Sequence, residues 1–67
     1  MTTSVWQVSG MTCEHCVSAV RQEVGELGGV HAVDVVLETG AVTVTGEAQP
    51  DRASMAAAVE EAGYQLV

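Results

Sequence analysis

Two thiols and an imidazole lie within four consecutive residues, Cys13-Glu14-His15-Cys16. Thiolates are soft ligands, and soft ligands favour Cu(I), with Zn(II) as the competitor. Two thiolates alone satisfy Cu(I), which accepts linear coordination. Zn(II) normally takes four protein ligands, or three and a water. The chain holds two Cys and two His, and His31 lies far along the sequence. A complete tetrahedral site within one chain is therefore not expected. Other uses of the spacing fit less well. Haem attachment needs His after the second Cys, where Val17 stands. An iron–sulfur cluster needs four thiolates, hence at least two chains. A dithiol oxidoreductase is the more serious rival, because His15 directly precedes Cys16. That fold needs a longer chain and a cis-proline beside the site, and the sole proline is Pro50.

The elements around the pair sharpen its chemistry. Val17, Val20, Val24 and Leu27 recur at helical spacing, with Arg21, Glu23 and Glu26 on the other faces, which predicts a helix over Glu14–Leu27. Gly25 weakens its last turn, and Gly28-Gly29 stops it. The first N–H groups of a helix lack partners and carry partial positive charge. Thiols placed there ionise more easily and are ready for metal near neutral pH. A Cu(I)–bis-thiolate unit carries one negative charge, which the same helix end stabilises. Cys13 on a loop can move and Cys16 in the first turn is anchored, an asymmetry that suits a site that must release its metal.

The remaining elements follow from alternation and turn signals. Ser4–Ser9 predicts a strand with Trp6 and Val8 on one face and Val5 and Gln7 on the other. Val30–Glu38 predicts a second, with Val33, Val35 and Leu37 inward and Asp34 outward. Thr39-Gly40 reads as a tight hairpin leading into Ala41–Thr45, with Val42 and Val44 inward. After the loop Gly46–Pro50, Asp51 is the expected N-cap of a second helix running to about Ala62. Its buried stripe is Met55, Ala58, Val59 and Ala62. Gly63 ends it, and Tyr64–Val67 is a short last strand. The order is βαββαβ. A hairpin between strands 2 and 3 forbids an all-parallel sheet. The compact solution is an α+β ferredoxin-like fold, a four-stranded antiparallel sheet with both helices on one face.

Length and charge bound the function. The 67 residues make one domain, residues 1–67, with no linker or low-complexity segment. No apolar run approaches the ~20 residues that cross a bilayer. Met1-Thr2-Thr3-Ser4 lacks the basic start and apolar stretch of a signal peptide, so a cytoplasmic location is expected. A reducing cytosol keeps the thiols free. The net charge is −7, and Arg21 and Arg52 are the only Lys or Arg residues. Such a surface repels nucleic acid and anionic lipid. It suits a basic protein partner, or serves solubility.

The stretch Gly10-Met11-Thr12-Cys13-Glu14-His15-Cys16 resembles the G-M-T-C-x-x-C motif of the heavy-metal-associated domain family. The turn Leu27-Gly28-Gly29-Val30, the Thr39-Gly40 hairpin and the ending Glu61-Ala62-Gly63-Tyr64 look like that family too, so the resemblance spans essentially the whole chain. It implies a βαββαβ fold with Cu(I) held by Cys13 and Cys16. The family includes bacterial CopZ-type copper chaperones and N-terminal domains of copper-transporting P-type ATPases. Mercury-binding relatives share the motif but carry an export signal. Relatives selective for divalent metals often have an acidic residue before the first Cys, where Thr12 stands here. Gly29 departs from the usual Pro-Gly or Glu-Gly without touching the motif. The resemblance implies that Met11 turns inward to support the loop, although its sulfur is also soft enough to ligate. It implies that Tyr64 lies beside the loop, as a shield and hydrogen-bond donor or as plain packing. His15 is expected in solvent, as a tuner of thiol acidity or a third ligand. The expected function is non-enzymatic: a chaperone passing Cu(I) to the metal-binding domain of a copper-transporting ATPase or to a copper-responsive regulator, the alternative being that the chain is itself the N-terminal metal-binding domain of such an ATPase. The expected state is a monomer without metal and, with it, a possible copper-bridged dimer.

Overall fold

A computed structural model describes residues 1–67. Six elements follow one another: β1 (Thr2–Ser9), α1 (Glu14–Gly25), β2 (Val30–Val36), β3 (Ala41–Gly46), α2 (Arg52–Glu61) and β4 (Gln65–Leu66). The strands form one sheet in the order β2-β3-β1-β4. Every pairing is antiparallel. This is the ferredoxin-like arrangement that the element order predicts. No helix is long and apolar enough to cross a membrane.

The core is aliphatic because the chain supplies little else. Val8, Val20, Val24, Val42, Val44, Met55, Ala58 and Val59 form one buried cluster. Met55 is the largest side chain fully removed from solvent. Burying a Val or Met side chain contributes roughly 1.5–3 kcal/mol, so these few residues carry most of the stability. Strand alternation behaves as the sequence requires: Val8 is buried, Trp6 packs on the cluster, and Val5 is exposed. Asp51 caps α2, accepting a hydrogen bond from the Ser54 backbone N–H at 2.8 Å.

Four local expectations need correction. The first helix ends at Gly25 rather than Leu27. A glycine contributes no side chain to hold the last turn, and Leu27 N–H instead bonds the Val24 carbonyl at 3.1 Å. Leu27 still packs on the core from this turn. The buried stripe of α1 begins with Cys16, not Val17, which is half-buried. Strand β2 ends at Val36, and the hairpin is a four-residue turn, Leu37–Gly40, closed by Gly40 N–H to the Val36 carbonyl at 2.8 Å. Strand β4 is only Gln65–Leu66.

The topology puts three connections at one end of the sheet. The loop from β1 to α1, the Leu37–Gly40 turn and the exit from α2 all lie there. Val8 N–H bonds the Gly40 carbonyl at 2.9 Å, tying the first two together.

Candidate metal centre

Cys13 occupies the N-cap position of α1 with extended backbone, φ −155° and ψ 173°. Its carbonyl accepts from Cys16 N–H at 3.1 Å and Val17 N–H at 3.3 Å. Its side chain makes no capping hydrogen bond. A Ser, Thr or Asp at this position would turn its oxygen onto the first-turn N–H groups. Cysteine leaves them free to act on sulfur. Cys16 follows in the first turn, on the stripe that packs inward, and only 7% of it is exposed. Cys13 is exposed. The two Sγ atoms lie 3.5 Å apart and both thiols are free. The pair thus combines an anchored sulfur with an accessible one.

The surroundings make Cys16 acidic. Its pKa falls from 9.0 to about 6. Hydrogen bonding from the Thr12 backbone contributes most, followed by the Tyr64 hydroxyl and then the Cys13 thiol and backbone, against an opposing effect of burial. In direct bonding geometry the sulfur has Cys13 Sγ and Thr12 Oγ1, the latter at 3.9 Å. The Tyr64 hydroxyl acts at longer range. Its own pKa is raised, first by its interaction with the Cys16 sulfur, then by burial and by the charges of Cys16 and Cys13. Tyr64 therefore remains a neutral donor beside a thiolate.

Tyr64 is held in place by the end of α2. Gly63 N–H bonds the Glu60 carbonyl at 2.9 Å and Tyr64 N–H bonds the Val59 carbonyl at 3.0 Å. These are the two bonds of a Schellman motif, which needs a left-handed residue between helix and exit. Gly63 supplies it with φ +97°. Across the gap, Gly10 has no side chain to obstruct the ring. A Cβ there would come within 3.3 Å of Tyr64 Cδ1.

The expected site residues separate clearly. Cys13, Cys16 and Tyr64 come together. Met11 is half-buried against the core. His15 is exposed and makes no hydrogen bond or ion pair. His31 lies at the other end of the sheet, where β2 has a register irregularity between Val30 and Ala32, and it faces Glu47 at 3.6 Å. No group of three or more His, Cys, Asp or Glu side chains gathers anywhere in the fold. Sequence reasoning missed the part of Thr12 in tuning Cys16. Its position immediately before the helix cap was the available signal.

The heavy-metal-associated domain model matches residues 5–65. The chain is 51% identical over 63 residues to the copper chaperone CopZ of Bacillus subtilis, covering 90% of this chain and 88% of that protein. It is 41% identical to the copper chaperone CopZ of Staphylococcus saprophyticus, with 98% of each chain covered. The solved structure of a CopZ metallochaperone superimposes with a TM-score of 0.88 at 36% identity, covering 98% of this chain and all of that one.

Proposed function

The chain belongs to the heavy-metal-associated domain family, and from that premise we propose that it is a copper chaperone that binds one Cu(I) between Cys13 and Cys16. The observation that carries the reading is the pair itself: two free sulfurs 3.5 Å apart, one buried and acidic, one exposed. With its pKa lowered to about 6, Cys16 favours the thiolate at neutral pH. The helix N-terminus and the Tyr64 hydroxyl favour that negative charge. Two thiolates complete a Cu(I) site and leave a Zn(II) site half-built. No third or fourth ligand is gathered nearby.

Delivery follows from the asymmetry. A partner thiolate approaches the exposed side, where Cys13 lies. It adds to the copper, giving three sulfurs around one ion; one of the chain's sulfurs then leaves, a second partner thiolate takes its place, and the last of the chain's sulfurs departs, so that each bond broken is matched by one formed. No substrate bond is made or broken, so the action is exchange rather than catalysis. Met11 supports the loop by packing, and His15 stays in solvent beside the thiols. The partner is the metal-binding domain of a copper-transporting ATPase or a copper-responsive regulator, met in the cytoplasm.

Anaerobic mass spectrometry with Cu(I) and Zn(II) offered together tests this. One Cu(I) per chain is expected, with loss of tight binding in both Cys13→Ser and Cys16→Ser. Preferential Zn(II) uptake, or native affinity in the two serine variants, would refute it. Turnover in an insulin-reduction assay would point instead to a dithiol oxidoreductase.

A further inference from the structure

The sheet has two free edges, and they are unequal. β4 presents the two residues Gln65–Leu66, whereas β2 presents the seven residues Val30–Val36. An edge strand of that length offers unpaired N–H and C=O groups on which another strand can build. Its sequence, Val30-His31-Ala32-Val33-Asp34-Val35-Val36, suits pairing, with four Val and a single carboxylate. One side chain lies on this edge. Arg21, on α1, donates from Nε to the Val33 carbonyl at 3.2 Å, and no other side chain hydrogen-bonds the β2 backbone. The chain holds nine Asp and Glu residues, yet Arg21 is in no ion pair, since the one such contact in the fold is His31–Glu47. Its guanidinium is held on an edge carbonyl instead of a carboxylate. Backbone groups alternate along a strand, so the Val35 N–H and C=O point to the same edge as those of Val33. The Val36 carbonyl, of the other parity, takes the Gly40 N–H inside the hairpin at 2.8 Å, as this alternation requires.

We propose that the β2 edge is a self-pairing surface whose partner is a second copy of this chain, and that Arg21 keeps it closed. An antiparallel two-fold pairing centred on Val33 sets Val33 against itself and Asp34 against Ala32 of the second copy. The carboxylate of each strand then meets no carboxylate of the other. The Val33 carbonyl at the centre of that pairing is the atom that Arg21 covers. Two edges can join only by displacing both guanidiniums or by bringing them together at the centre, where like charges repel. Removing Arg21 frees the carbonyl and lifts the repulsion at once. Cys13 and Cys16 take no part in this contact, so its test is independent of copper.

The whole chain is used, reduced and free of metal, at about 0.15 M salt, where the Debye length is about 8 Å. Sedimentation velocity over a concentration series compares wild type with Arg21→Ala, Arg21→Lys and Arg52→Ala. Arg21 is exposed and Ala is a strong helix former, so the fold is expected to survive the first change. Arg21→Ala should self-associate at least about tenfold more tightly than wild type, although its net charge is one unit more negative. Arg21→Lys keeps the positive charge and should stay near wild type. Arg52→Ala makes the same change in charge at the start of α2 and should also match wild type. Hydrogen exchange locates the contact, because the Val33 and Val35 amides should slow as Arg21→Ala associates. If Arg21→Ala does not fold, Arg21→Met, which keeps the apolar stem without the donor, takes its place. An Arg21→Ala chain no more associated than wild type would overturn the proposal. So would equal association of Arg52→Ala, or association that leaves the Val33 and Val35 amides exchanging as fast as in the monomer.

Discussion

At the residue scale the site is a contrast between two sulfurs of the same residue type three positions apart. Cys16 is made acidic by groups that surround it in the fold, and Cys13 is left accessible. The acidity has a consequence for the apo protein. A thiol whose folded pKa lies near 6 and whose unfolded value lies near 9 favours the folded state once ionised. That contribution is fully present above pH 9 and is lost as pH falls through 6. Apo stability should therefore rise with pH across this window, measured by urea unfolding at several pH values. Cys16→Ser should flatten the rise. Tyr64→Phe should weaken it and move the Cys16 titration, followed by ultraviolet thiolate absorbance, upward from about 6. A Tyr64→Phe variant with an unchanged titration would show that the phenol only packs. Met11 offers a control: Met11→Leu keeps volume and apolarity in a half-buried position and should change stability by less than about 1.5 kcal/mol with copper affinity intact.

At the element scale, α2 joins two ends with different duties. Asp51 caps its start at the end of the molecule away from the thiols, and Gly63 shapes its exit beside them. Asp51→Ala should cost about 1 kcal/mol by removing the cap. Gly63→Ala should cost a similar amount, about 1–2 kcal/mol, by forcing a Cβ into a left-handed conformation. Only the second should disturb Tyr64 and hence raise the Cys16 pKa. Thermal melts paired with thiolate titration separate the two outcomes. The elements themselves were largely legible in the sequence, because alternation of Val8, Val42 and Val44 and the Pro50-Asp51 start are local signals. Their ends were not. α1 closes at Gly25 and Leu37 joins a turn rather than β2, although Leu27 and Leu37 each continue an apolar pattern that the backbone abandons. That Cys13 and Cys16 would lie together at a helix start was legible from their spacing, the helical pattern that follows and the resemblance of Gly10–Cys16 to the family motif, and the two sulfurs do lie 3.5 Å apart. The part of Thr12 was harder to read: its place just before the helix cap is a local signal, but that its backbone group meets the Cys16 sulfur depends on the path the loop takes into α1.

At the scale of the whole molecule, metal and fold share one packing problem. A domain of this size buries only about 60% of its unfolded surface and is marginal in stability. Cys16 belongs to the same inward stripe of α1 as Val20 and Val24, and Val20 and Val24 sit in one cluster with Met55. A ligand that binds only the folded chain stabilises it by mass action, about 2.7 kcal/mol at a free concentration of 100 times Kd. Met55→Ala removes the largest fully buried side chain and should cost about 2–5 kcal/mol. In a domain of 60–100 residues each kcal/mol moves Tm by about 4–8 °C. The apo variant should thus melt tens of degrees early, or fail to fold at the low end of the stability range. Buffered Cu(I) at 100 times Kd should return roughly 10–20 °C of that loss. The same copper should do nothing for a Met55→Ala chain that also carries Cys13→Ser, because the gain requires both sulfurs of a formed site. Melting of the four species, each variant with and without copper, by circular dichroism under anaerobic conditions measures this. Equal recovery in the chain lacking Cys13 would mean that copper binds somewhere other than the pair at the start of α1, and the coupling of site to core would fall with it.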